Sequence, residues 1–171
     1  MKRIAVIATV VLLAAFACAQ QDPTSIRNFL RVNQQFCTGG QPKLEELDSL
    51  KATGVKAIIN LRTPQEYDAT AEQAKAKELG LRYFNIPVVY NDPKEDEATE
   101  FLKVTDDPEN RPAFIHCTAG IRVAAFWMIR RVLRDNWSIA DAEDEAEKVG
   151  LRHTEHLRQF ALNYIEHHKK K

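Results

Sequence analysis

The stretch "FIHCTAGIRVAAF", residues 114–126, decides how this chain folds. An apolar run ends in His116-Cys117, a short loop holding Gly120 follows, and Arg122 opens a second apolar run. A short, bounded and mostly apolar run, "AFIHC" (113–117), reads as a buried strand. The segment "RVAAFWMIRRVLRD" is apolar on nearly all sides for its first two turns, which marks a buried helix. A loop that passes from a strand into a helix N-terminus can turn successive backbone N–H groups inward, and with the helix dipole these make an anion cradle. Gly120 suits the tight curve because it tolerates positive φ.

The same alternation extends outward in both directions. Toward the N-terminus, "FLRVNQQFCTGG" (29–40) reads as a first strand ending in a glycine pair, and "VKAIINLR" (55–62) and "LRYFNIPVV" (81–89) as two more. Between them, "PKLEELDSLKATG" places Leu44, Leu47 and Leu50 on one stripe, with Pro42 near a first helical position and Gly54 as a stop. "AEQAKAKELG" (71–80) is a second helix ended by glycine. A helix is expected around Ala98 to Val104, after the loop "YNDPKEDE" and before the turn-rich "TDDPENRP". Beyond the central stretch, Ser138 caps "SIADAEDEAEKVG", and a last helix carries Leu157, Phe160, Ala161, Tyr164 and Ile165 on one face. Strands alternating with helices predict an α/β fold with a central, mostly parallel sheet of four to five strands flanked by helices. In such sheets ligands bind outside the carboxyl ends of the strands, where Cys117 falls.

The chain has 171 residues, 44% hydrophobic and 28% charged, which suits one globular domain. Its first segment stands apart. Lys2 and Arg3 precede an apolar run from Ile4 to Phe16, followed by Ala17-Cys18-Ala19, an A-x-A cleavage pattern. Residues 1–19 are therefore expected to be a secretory signal peptide, residues 20–28 a mobile leader and residues 29–168 a single domain. The apolar run is too short to span a bilayer. Acylation of Cys18 is the less favoured reading, because Phe16 is bulky where a lipoprotein signal prefers small residues. Cleavage would remove Lys2 and Arg3 and no acid, leaving 22 basic against 24 acidic residues. That balance gives no reason to expect nucleic acid or an anionic membrane surface as partner. Only Cys37 and Cys117 would remain, so the domain is no disulfide scaffold.

The central loop combines residue types suited to nucleophilic chemistry. Arg122 offers a planar fork of donors that matches phosphate or sulfate oxygens. The same positive surroundings should stabilise the thiolate of Cys117, with His116 supporting the loop from behind. Thr118, Ala119, Gly120 and Ile121 supply the cradle between them, Thr118 with a hydroxyl for a bound oxyanion. Arg62, ending a strand on the same side, either steers an anionic substrate or pairs with Glu66 or another carboxylate. Cys37 is either a small hydrophobe or a redox partner of Cys117. His153, His156, His167 and His168 lack a convincing set of metal partners, so no metal and no cofactor is expected.

The motif "HCTAGIRVAA", with "TGGQP", "GVKAIINLR" and "LRYFNIPV" before it, resembles a bacterial protein-tyrosine/dual-specificity-phosphatase-like family, the phosphatase-like domain of the beta-lactamase-hydrolase-like proteins. The resemblance runs from about Phe36 to Trp137. It implies a three-layer phosphatase-type fold and a cysteinyl-phosphate intermediate, with Cys117 as nucleophile and Arg122 as phosphate clamp. It also implies a movable acid loop after the third strand, which makes Asp92 in "YNDP" the candidate general acid and Asp96 its alternative. Two positions depart from the usual pattern: four residues rather than five separate Cys117 from Arg122, and Val123 replaces the usual Ser/Thr. The shortened Cys-x-x-Gly-x-Arg loop also resembles that of single-domain rhodaneses. Three functions follow: an exported phosphatase acting on a phosphorylated protein or small molecule, a sulfurtransferase carrying a persulfide on Cys117, or a non-catalytic phospho-ligand-binding module.

Overall fold

A computed structural model describes residues 22, 23 and 25–169. The expected signal peptide and Cys18 lie outside the described residues. Among the described residues five strands form one sheet in the order β1-β2-β5-β3-β4. They are β1 (Leu30–Arg31), β2 (Phe36–Gly39), β3 (Ala57–Asn60), β4 (Arg82–Asn85) and β5 (Ala113–His116). β2, β5, β3 and β4 run parallel, and β1 alone is antiparallel to its neighbour. The expected α/β architecture with a mostly parallel sheet is the one observed.

The single strand expected over 29–40 is a hairpin. Asn33 makes the turn, its side-chain oxygen accepting from the N–H groups of Gln35 and Phe36 at 2.8 and 2.9 Å. Residues 26 and 27, expected to be mobile, pack on the domain: Ile26 is buried against the sheet and Gly40 donates to the Arg27 carbonyl at 2.7 Å. The folded part of the chain therefore begins before Phe29.

Among the described residues six α-helices flank the sheet: α1 (Glu46–Ala52), α2 (Thr70–Glu78), α3 (Glu95–Asp106), α4 (Ile121–Leu133), α5 (Ile139–Val149) and α6 (Glu155–His168). α1 and α2 cover one face, burying Leu47, Leu50 and Ala76 against Cys37, Ile58 and Phe114. α3 to α6 cover the other, where Phe101, Phe126, Trp127 and Leu157 meet Phe36, Ile59 and Ile115. This is the period-two alternation of strand side chains at work, since Ile58 and Ile59 face opposite layers. α4 is the central helix, buried continuously from Arg122 to Val132. Each large apolar side chain it buries contributes about 1.5–3 kcal/mol. Ser138 caps α5 as its sequence suggests, accepting from the Asp141 N–H at 3.1 Å. No helix among the described residues is long and apolar enough to cross a membrane.

Candidate active site

β5 lies mid-sheet between β2 and β3, so Cys117 leaves the carboxyl end of the most enclosed strand. The loop it opens is anchored from the β2 side. Gly40 bridges Ala119, Gln41 N–H donates to the Thr118 carbonyl at 3.4 Å, and Asn28 Nδ2 donates to the Ala119 carbonyl at 2.9 Å. A Cβ on Gly40 would lie 2.9 Å from the Thr118 oxygen, closer than real Cβ atoms come. Backbone contact with the Cys117–Arg122 loop is thus a physical reason for Gly40 in "TGGQP". At the far end Gly120 adopts φ +86°, the left-handed conformation its residue type permits, and its carbonyl receives the first helical bond of α4 from Ala124 at 2.9 Å.

Cys117 is 1% exposed, and its sulfur accepts a hydrogen bond from the Gly120 N–H at 3.2 Å. The Arg122 guanidinium is braced by backbone carbonyls at the ends of two strands, donating from Nη1 to Leu61 at 3.2 Å and to Val88 at 2.8 Å. It also donates to Thr118 Oγ1 at 3.0 Å. Burial opposes its charge, but Glu66 and the Cys117 sulfur more than restore it. Cys117, Thr118, Ala119, Ile121 and Arg122 line a cavity of about 280 Å³ with Glu66 and Tyr90. Gly120 holds the sulfur from behind. The cysteine and arginine singled out in the sequence line one concave seat.

Glu66 is the participant that sequence reasoning placed only beside Arg62. Its carboxylate takes two bonds from Arg122, Nη1 to Oε2 at 2.8 Å and Nη2 to Oε1 at 2.5 Å. Thr118 Oγ1 donates to Oε1 at 2.9 Å, and Arg62 Nε at 3.2 Å. Partial burial pushes this carboxyl up, yet the Arg122 and Thr118 bonds outweigh it and hold it down at about 2. An internal oxyanion therefore already occupies the outer edge of the guanidinium fork, and a substrate phosphate must share Arg122 with it or displace it. Arg62 takes the pairing alternative: it is bound to Glu66, donates to Gln41 Oε1 at 3.2 Å and lies over the Tyr67 ring.

The other expected residues fall into two groups. Asp92 sits on the loop after β4, but its carboxylate is 67% exposed and pairs with Lys94 at 2.5 Å. Asp96 is exposed in the first turn of α3, accepting from the Glu97 N–H. The cavity wall from this loop is Tyr90, whose ring meets the edge of His156 at 4.9 Å. His116 points to the opposite face of the sheet, fully buried and stacked on Phe114. Cys37 lies on that face too, whereas Cys117 belongs to the other core, and both thiols are free. A Cys37–Cys117 bridge is ruled out because the sheet stands between them. Burial pushes the Cys37 thiol up to about 12, which makes it inert. Among the described residues no group of His, Cys, Asp or Glu could hold a metal.

The chain resembles several known proteins. A beta-lactamase hydrolase-like protein of Agrobacterium fabrum is 30% identical over 126 residues, covering 71% of this chain but 29% of its own length. An inositol diphosphatase, DSP3, of Arabidopsis thaliana is 29% identical over 146 residues, covering 81% of this chain and 68% of its own. In three dimensions the chain superimposes on a DUF442 protein of Shewanella putrefaciens with a TM-score of 0.72 at 22% identity, over 85% of this chain and 96% of that one. The family model described as DSP-PTPase phosphatase fused to NAD+ kinase matches residues 8–163. The chain belongs to this family of dual-specificity and protein-tyrosine-type phosphatases.

Proposed function

We propose that this protein is an exported phosphatase that hydrolyses phosphate monoesters through a cysteinyl-phosphate intermediate. The observation that carries the reading is the shared seat: a buried sulfur, the Gly120 N–H upon it and the Arg122 fork beside it, all at one cavity. The thiolate of Cys117 attacks phosphorus and the ester P–O bond breaks. Arg122 and the first-turn amides of α4, which lack intrahelical acceptors, stabilise the equatorial oxygens. The leaving oxygen takes a proton from Asp92, which must turn from Lys94 toward the cavity as the loop closes. Water then attacks phosphorus, the S–P bond breaks, and inorganic phosphate leaves with the thiolate regenerated. Family membership supports this chemistry over sulfur transfer, which rests on the short loop and Val123. Export rests on the pattern of residues 1–19, and the N-terminal sequence of the protein recovered outside the cytoplasm would test it.

The deciding assay compares purified protein in aryl-phosphate hydrolysis and in sulfur transfer from thiosulfate to cyanide. Phosphate release is expected, with Cys117→Ser abolishing it. Turnover surviving Cys117→Ser would overturn the mechanism, and sulfur transfer without phosphate release would replace it.

A further inference from the structure

Among the described residues the wall of the Cys117 cavity holds one cation, Arg122, and one anion, Glu66. Thr118, Ala119 and Ile121 add no charge to that wall, and Tyr90 completes it. Cations just outside it are already engaged. Arg62 donates to the Glu66 carboxylate at 3.2 Å, to the Glu66 carbonyl at 2.8 Å and to Gln41 Oε1 at 3.2 Å. On the Tyr90 side Lys94 pairs with Asp92. Two phosphates side by side would bring about three to four negative charges at neutral pH. They would meet a single arginine whose outer edge is matched by a carboxylate.

Arg122 does not need that carboxylate in order to face the cavity. The carbonyls of Leu61 and Val88 hold Nη1 at 3.2 and 2.8 Å, and Thr118 Oγ1 lies 3.0 Å from Nη2. An ionised Glu66 beside a phosphate seat therefore has an effect that orientation of the arginine does not explain: it repels further anions. A monoester keeps its charge over Cys117 and presents an uncharged alcohol to the rim. A second phosphate on that alcohol has to sit at the rim, where the Glu66 side chain is 31% exposed.

We propose that Glu66 is a specificity-determining residue: its carboxylate turns away substrates that carry a second phosphate next to the reacting one, and so narrows the substrate class to single phosphate esters of uncharged, apolar alcohols. Its effect on turnover rests on the phosphatase reading; its effect on which anion binds does not.

Binding is read by titration calorimetry at about pH 7 in the Cys117→Ser protein, so that nothing turns over, with inorganic phosphate and inorganic pyrophosphate in metal-free buffer. Phosphate is expected to bind at least about tenfold more tightly than pyrophosphate. With Glu66→Gln added, phosphate should bind about threefold and pyrophosphate about thirtyfold more tightly, which erases the preference. In protein that keeps Cys117, Glu66→Gln should lower the ratio of kcat/KM for phenyl phosphate to that for catechol bisphosphate about tenfold. An unchanged ratio would overturn the proposal. So would a loss of phosphate binding in Glu66→Gln, which would make Glu66 an orienter of Arg122. Should Glu66→Gln fail to fold, the protein with glutamate decides: pyrophosphate bound as tightly as phosphate sinks the idea. A chain that prefers phosphate to pyrophosphate yet hydrolyses no ester would defeat the phosphatase reading alone. One that hydrolyses phenyl phosphate and catechol bisphosphate equally well would defeat the role of Glu66 alone, and one that binds neither anion would defeat both.

Discussion

Replacing Glu66 by glutamine removes a carboxylate and keeps its shape, and the structure sets what that should cost. A glutamate of ordinary value about 4.3, held at about 2 in the folded protein, carries about 3 kcal/mol of stability at about 1.4 kcal/mol per unit. The side chain is 31% exposed, and solvent screening cuts this to about 1–2 kcal/mol. Because the folded value is depressed, the contribution is fully present above about pH 4.5 and is lost as pH falls toward about 2. Urea unfolding of wild type and Glu66→Gln should therefore differ by about 1–2 kcal/mol at pH 7, a midpoint shift of about 0.5–1 M. The gap should narrow steadily between about pH 4.5 and pH 2.5. A difference of the same size at pH 7 and at the acid end would show that shape, not charge, is at stake. No difference at pH 7 would refute the ion pair with Arg122 as a stabilising contact.

Gly120→Ala combines a strained φ of +86° with a Cβ placed 2.9 Å from the Val149 oxygen. It should lower stability by about 1–3 kcal/mol in thermal unfolding and remove phosphatase turnover, because the loop cannot keep its curve. Asp92→Asn should slow hydrolysis of an alkyl phosphate about a hundredfold and that of a nitrophenyl phosphate far less, since a good leaving group needs no proton. Equal losses on both substrates would assign Asp92 a role other than acid.

The strand-to-helix passage at 113–133 was readable because its residues obey local rules: a short apolar run, a glycine at the bend and a helix buried all round. Sheet order followed less directly, since the hairpin at Asn33 and the central place of β5 depend on pairings that no single window contains. At the site, Cys117, Arg122 and the intervening loop are contiguous in the chain and were legible together. Glu66 was not. It reads locally as an ordinary surface acid, and it acquires its meaning from partners tens of residues away, Arg122 and Thr118. The only available signal for Glu66 was its proximity to Arg62 in "LRTPQEY", which pointed to the lesser of its two arginines. Asp92 marks a further limit, because a turn sequence such as "NDP" places a carboxylate on a loop without saying which way it faces.

The mid-sheet position of β5 divides the site into two layers of different construction. Its floor grows out of a strand hydrogen-bonded on both sides and a helix buried along most of its length, so it opens only when the whole domain does. Its rim is made of connecting segments outside the strands and helices, the turn holding Glu66 and the one holding Tyr90 and Asp92. Selection for a different phosphorylated compound could rewrite those segments residue by residue while the reacting atoms stayed where the core keeps them.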